Sequence, residues 1–160
     1  MLRLTFALVL ALSCGMFAFA GCGGGSKRDT RALLIAAEEG SMIQLKEALA
    51  NGSAPDDVQN LGDRTALLLA AMHGHSDVVA YLLQVGADPN AEYQGARVKL
   101  EFKKFAALMK NVHEQPDVTG TYRKQDGTVV DIRSLPYRPN EYEKIQKLLD
   151  DATAKADAAK

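Results

Sequence analysis

Two clusters of ionisable side chains in the sequence could do chemistry. His73 and His75 are separated by one glycine, and His113 is followed closely by Glu114 and Asp117. Two histidines without Cys or carboxylate partners are a poor ligand set for a metal ion, and no nucleophile motif accompanies the second cluster. We therefore predict that the protein is not an enzyme and has no catalytic residue, no metal and no cofactor.

Cys22 is the residue whose surroundings indicate a defined modification. It follows a short basic start and the uncharged apolar run Leu4–Ala20, a pattern typical of a secretory signal peptide. The segment FAGC, Phe19–Cys22, resembles the lipobox of bacterial lipoproteins, with Phe19 where the usual motif has Leu. The resemblance implies that Cys22 receives a diacylglycerol group, that cleavage removes residues 1–21, and that the new N-terminus is acylated.

The same segment predicts the location of the protein. Residues 22–28 form a Gly/Ser-rich linker that suits a tethered domain. Gly23 rather than Asp after the cysteine resembles outer-membrane sorting in Gram-negative bacteria. We expect a lipid-anchored protein of the bacterial cell envelope, on the periplasmic face of the outer membrane. The alternative is cleavage after the A-x-A site at Ala18–Ala20, which would release a soluble periplasmic protein.

The composition is that of one globular domain. Of the 160 residues, 47% are hydrophobic and 24% are charged, and the formal net charge is −1. This near-neutral balance gives no reason to expect nucleic acid as a partner.

A repeat dominates the first half of the chain. Residues 31–56 and 65–90 align at an offset of 34 without a gap, and nine positions are identical. In each unit a run of small and apolar residues precedes a glycine, and a second apolar stripe precedes another glycine. The second stripe of the later unit is Val78, Val79, Leu82 and Leu83. Because a helix stop favours glycine at positive φ, each unit is predicted to be helix, turn, helix and loop.

The later unit, TALLLAAMHGHSDVVAYLLQVGADPN, resembles an ankyrin repeat. The matching residues are Thr65, Leu67, Ala70, Ala71, Gly74, His75, Val78, Val79, Leu82, Leu83, Gly86, Ala87, Asp88 and Asn90, whereas Ala66 replaces Pro and Leu68 replaces His. The first unit departs further from the pattern, as a capping repeat does. The resemblance implies an all-α fold, a short ankyrin-repeat solenoid over residues 29–153. Its clear repeats span about 29–58 and 60–91, its degenerate part spans 92–153, and a tail follows at 154–160.

The degenerate part is expected to complete the stack, because about three repeats are needed for stability. Val98, Phe102, Phe105, Met109 and Val112 follow helical spacing, which predicts a helix packed across the end of the second repeat. A last helix is predicted at Tyr142–Ala152, with Ile145, Leu148 and Leu149 on its inner face.

Residues 117–134 leave two alternatives. Asp126-Gly127 between β-branched and aromatic residues predicts a β-hairpin. The segment DGTVVDI, however, also resembles the start of a terminal ankyrin repeat. Val129, Val130 and Ile132 favour the strand.

The ankyrin resemblance implies a function in binding another protein, whose identity the sequence leaves open. We expect a non-enzymatic interaction module that acts as an adaptor or scaffold. The alternative is an inhibitor or immunity-type protein that blocks an envelope-acting enzyme, and a third hypothesis is a small catalytic or ligand-binding module at residues 97–134. The binding surface implied by the family comprises Glu38, Glu39, Met72 and His73 on the first helices, and Asn60, Leu61, Arg64, Glu92 and Tyr93 in the loops. Of these, Leu61, Met72 and Tyr93 are expected to be exposed and to make the main contacts.

Overall fold

The computed structural model describes residues 27–58, 64–93, 96–115 and 117–159. The helices of these ranges are α1 (Lys27–Glu39), α2 (Met42–Ala50), α3 (Ala66–Met72), α4 (Ser76–Gln84), α5 (Val98–Glu114) and α6 (Pro139–Ala158). Two antiparallel strand pairs accompany them, β1 (Glu92–Tyr93) with β2 (Ala96–Arg97) and β3 (Thr121–Arg123) with β4 (Val129–Asp131). The predicted signal peptide and Cys22 lie outside the described residues.

The helices form two rows. In the first row α1 packs against α3, and α3 packs against α5. The second helix of each pair packs on the first, so that α2 lies on α1, α4 on α3, and α6 on both α5 and α4. The C-terminal half therefore supplies a third helical pair, and the predicted helical stack is confirmed. We call α1, α3 and α5 the inner row.

Helix α3 lies at the centre of this arrangement, and all seven of its residues are buried. The Thr65 hydroxyl caps its start by accepting the N–H of Leu68 at 3.2 Å. Ala70 and Ala71 are fully buried, and their small side chains let the neighbouring helices approach closely. On α4, Val78, Val79 and Leu82 are buried, but Leu83 is only partly buried, although the sequence pattern places it on the same apolar face.

Glycine ends the first helix of both repeats in the same way. Gly40 and Gly74 each have φ of +74°, in the left-handed region that favours glycine. After each of them an N–H turns back to the helix: Ser41 donates to the Ala36 carbonyl, and His75 donates to the Ala70 carbonyl, both at 2.9 Å. The conformation therefore repeats along with the sequence.

The hairpin alternative for residues 117–134 is confirmed. Strands β3 and β4 pair in the register Thr121↔Asp131, Tyr122↔Val130 and Arg123↔Val129. The turn between them is closed by the N–H of Gly127, which donates to the Lys124 carbonyl at 3.0 Å. A 3₁₀ turn at Ile132–Ser134 follows β4. This hairpin is an insertion between the two helices of the third pair, where the first two pairs have a short turn.

Helix α6 is longer than the sequence pattern predicts at both ends. It begins at Pro139 rather than Tyr142, because proline is well suited to the first turn of a helix. Ile145 and Leu149 are buried against the stack, and Leu148 is partly buried. Across the described ranges, we find no helix with both the length and the apolar character needed to span a membrane.

Candidate functional site

The β3–β4 hairpin folds back over the inner row and meets α1 and α3 at their C-terminal ends. Glu38, in the last turn of α1, has 8% of its surface exposed. One carboxylate oxygen of Glu38, Oε2, accepts the main-chain N–H of Gln125 in the hairpin turn at 2.8 Å. The other, Oε1, lies 3.4 Å from Nε2 of His73, which follows α3. Glu38 therefore joins the two repeats and the hairpin.

Tyr122 is the buried anchor of the hairpin. Its hydroxyl oxygen lies 3.1 Å from His73 Nε2, and the two rings meet edge to face with centroids 5.3 Å apart. The Arg64 guanidinium lies over the Tyr122 ring, 4.8 Å from the centroid, and donates to the Arg123 carbonyl at 3.2 Å. Such a cation–π contact adds a directional attraction to the burial of the ring.

Two ionisation equilibria in this cluster are shifted. Burial raises the pKa of the Glu38 carboxyl, but the nearby His73 ring and the hydrogen bond from the Gln125 amide outweigh it, so that the net pKa is below its ordinary value. Burial raises the pKa of the Tyr122 hydroxyl far above its usual range, against the opposing charge of Arg64. At neutral pH the cluster thus holds a carboxylate and a protonated phenol.

His75 has a structural role between the first two repeats. Its Nε2 lies 3.1 Å from the Glu38 main-chain carbonyl, and because a carbonyl can only accept, Nε2 carries the proton. Burial lowers the pKa of His75 and so favours the neutral ring, although the hydrogen bond to the Glu38 carbonyl acts in the opposite direction. The ring stacks nearly parallel to His73, with centroids 6.3 Å apart. The second histidine of the His-Gly-His motif is thus a bridge between repeats.

The chemistry of this cluster holds a polypeptide segment of the chain itself, the β3–β4 hairpin. Glu38 offers an anionic acceptor to a main-chain N–H, and His73 with Arg64 forms a place for an aromatic ring that carries a hydroxyl. Among the described residues, no three His, Cys, Asp or Glu side chains are grouped so as to hold a metal ion.

The structure corrects the predicted exposure of three surface residues. Met72, Glu38 and His73 are each only 8% exposed. The prediction took the ends of the first helices to be open to solvent, whereas the inserted hairpin covers the ends of α1 and α3. Burial of Met72 within α3 therefore overturns its expected role as an exposed contact.

The remaining predicted residues have other placements. Glu39 is exposed, and Arg64 is half-buried against the hairpin. Glu92 and Tyr93 form β1, whose main chain alone is described. Asn60, Leu61 and Cys22 lie outside the described residues.

Sequence reasoning missed Tyr122 and Gln125, both of which are buried. The length of the segment that contains them was a signal that it packs on the stack. The 24-residue separation between α5 and α6 far exceeds the short turn inside the first two pairs, and an insertion of this length needs a surface to pack on.

The two rows of paired helices define the class of the protein, a helical repeat stack. The family model described as ankyrin repeats (3 copies) matches residues 7–93, more than half of the chain. The chain therefore belongs to the ankyrin-repeat family. A search of curated proteins found no match. Ankyrin repeats indicate a protein–protein interaction module, and the family is typically non-catalytic.

Proposed function

We propose that this protein is an adaptor or scaffold of the bacterial cell envelope, tethered by a lipid on Cys22 and acting by binding another protein. The lipobox-like FAGC and the glycine-rich segment after it support the tether. The ankyrin family supports the interaction. No catalytic role is assigned to any residue.

The observation that carries the interaction role is the row of three inner helices, since repeat stacks bind partners along such an extended surface. The free face of α5 adds apolar area to this row. Leu100 is 50% exposed and Leu108 is 43% exposed, with Lys104 between them at helical spacing. These two side chains would supply apolar contact area to a partner bound along the row.

The test is capture of the partner from membrane extract with the full-length, affinity-tagged protein. We expect one or a few proteins to be retained, and Leu108→Asp to lose them. Ile43→Asp is the matched control, because Ile43 is exposed on α2, outside the inner row. If the captured partner is an enzyme whose activity falls on mixing, the inhibitor alternative holds. Retention that is the same for both variants would exclude the α5 face.

The tether is tested on the same material. Cys22→Ala is expected to abolish labelling by a lipid precursor and to move the protein from the membrane fraction to the soluble fraction. Cys14→Ala is the control, since Cys14 lies inside the predicted signal peptide and should leave both properties unchanged. A Cys22→Ala protein that stays in the membrane fraction would refute the lipid anchor.

A further inference from the structure

The tip of the β3–β4 hairpin occupies part of the inner row as a ligand would. Its contacts with the first two repeats come from three groups: the Gln125 N–H on the Glu38 carboxylate, the Arg123 carbonyl that accepts from Arg64, and the Tyr122 ring beside His73 and beneath Arg64. Any polypeptide can offer a main-chain donor and a tyrosine. The hairpin therefore displays the chemistry that this surface accepts.

The strands of the hairpin contribute little stability of their own, although Tyr122 is buried and also meets the Phe105 ring of α5 edge to face. Each strand has three residues, and a two-stranded hairpin is marginally stable by itself. Val129 on β4 is 52% exposed. A cleft of about 240 Å³ lies beneath the hairpin, lined in part by Glu38, His73 and Lys124. Close packing is thus incomplete under the tip.

The base of the hairpin is held by other contacts. Ile132 and Leu135 are buried in the core. Arg133 donates to the Val118 carbonyl at 2.7 Å and to the Gln115 carbonyl at 3.2 Å. These two hydrogen bonds of Arg133 go to residues outside α1 and α3. They can therefore persist when the tip loses its contacts with Glu38, His73 and Arg64.

We propose that the hairpin tip, residues 121–128, is an intramolecular occupant of the recognition surface, and that the partner is a polypeptide segment that replaces it with its own tyrosine and main-chain N–H. This inference rests on the proposed role in protein recognition. A tethered occupant acts at an effective concentration of roughly millimolar, so it excludes weak or incorrect partners and yields to a specific one. Only molecules with an undocked tip can bind the partner. The apparent affinity is therefore the intrinsic affinity multiplied by the undocked fraction.

One substitution can undock the tip while keeping its turn. Gln125 is the second residue of the turn that the Gly127 N–H closes onto Lys124, a position that favours proline. Gln125→Pro removes the N–H that docks on Glu38. Gln125→Ala is the matched control, because it also removes the side chain but keeps that N–H.

The probe is a synthetic peptide of residues 118–133, cyclised through added terminal cysteines and labelled for fluorescence anisotropy. We expect it to bind full-length Gln125→Pro at least about 10-fold more tightly than Gln125→Ala, because the tethered competitor is lost. A peptide carrying Tyr122→Ala is expected to lose at least about 10-fold in affinity, since the aromatic anchor is missing. Hydrogen exchange of residues 121–131 should be faster in Gln125→Pro than in Gln125→Ala.

Two results would overturn the inference and make the hairpin a permanent structural element. One is equal peptide binding and equal hydrogen exchange in Gln125→Pro and Gln125→Ala. The other is an undocked tip in Gln125→Pro whose place no peptide takes. If Gln125→Pro does not fold, Tyr122→Phe, which removes only the hydroxyl, takes its place with the same expectations. Failure of the proposed function is distinguishable: the peptide then binds Gln125→Pro, while neither this variant nor the wild type captures a partner.

Discussion

At the scale of single residues, Glu38 decides how the hairpin responds to pH. Its folded pKa lies below the ordinary value of a glutamate carboxyl, so the stabilisation that it provides is complete above that ordinary value. This stabilisation is lost as the pH falls through the lowered folded pKa, because a protonated carboxyl no longer offers a charged acceptor to the Gln125 N–H.

Glu38→Gln is therefore expected to lower the free energy of unfolding at pH 7 by about 1–3 kcal/mol, the usual contribution of a buried hydrogen bond to a charged group. The difference from the wild type should shrink at pH 3, because protonation of the wild-type carboxyl increases as the pH falls. Urea unfolding followed by circular dichroism measures the free energy of unfolding at both pH values. The control is Glu39→Gln, next to it but exposed, for which no effect is expected; a deficit that persists unchanged at pH 3 would contradict the charge argument.

The sequence predicted some of the site at this scale. It named Glu38 and His73, because the ankyrin resemblance assigns the exposed side of each first helix to the binding surface. It placed them in solvent, because the pattern of a repeat states which residues hold neighbouring repeats together and not what else covers them. Tyr122 and Gln125 were missed, since the contact between Gln125 and Glu38 joins residues 87 positions apart, and no local spacing encodes it.

At the scale of elements, the glycines that end the helices have the same backbone but different surroundings. Gly40 (φ +74°) and Gly86 (φ +100°) are both left-handed. A methyl group on Gly86 would meet open space, whereas one on Gly40 would overlap the His75 ring. Any shift of that ring also breaks its hydrogen bond to the Glu38 carbonyl.

Gly86→Ala should cost about 1–2 kcal/mol of unfolding free energy, the penalty for a non-glycine residue in this region. Gly40→Ala should cost more, by at least about 1 kcal/mol, because the added methyl group overlaps the His75 ring and this half-buried donor loses its acceptor. Urea denaturation of the two variants side by side gives the comparison. Equal losses would mean that the His75 bridge between the repeats contributes nothing to stability.

The sequence predicted those elements whose signals lie within a short stretch of neighbouring residues. The paired helices of the first two repeats follow from apolar spacing and glycine stops, and α5 follows from the stripe Val98 to Val112. The hairpin follows from Asp126-Gly127 and the valines after it. The docking of that hairpin on α1 and α3 is a tertiary event between an insertion and the stack, so the separate patterns contain no information on it.

At the scale of the whole molecule, stability depends on every helical pair covering its neighbour. Helix α3 is buried on all sides because α1, α4 and α5 surround it, and α6 covers α4 and α5. A stack of this kind unfolds cooperatively when the interfaces between units are strong compared with the units themselves. Damage in the third pair should therefore weaken the first two.

Ile145 and Ile43 test this coupling. Ile145 on α6 is fully buried, whereas Ile43 on α2 is 82% exposed. Ile145→Ala should lower the unfolding free energy by about 2–5 kcal/mol, the cost of a cavity in the core, and Ile43→Ala by less than about 0.5 kcal/mol. Hydrogen exchange should show α3 and α4 losing protection together with α6 in Ile145→Ala, because they share one folding transition. Loss of protection confined to α5 and α6 would show instead that the third pair unfolds independently and that the first two repeats are stable without it.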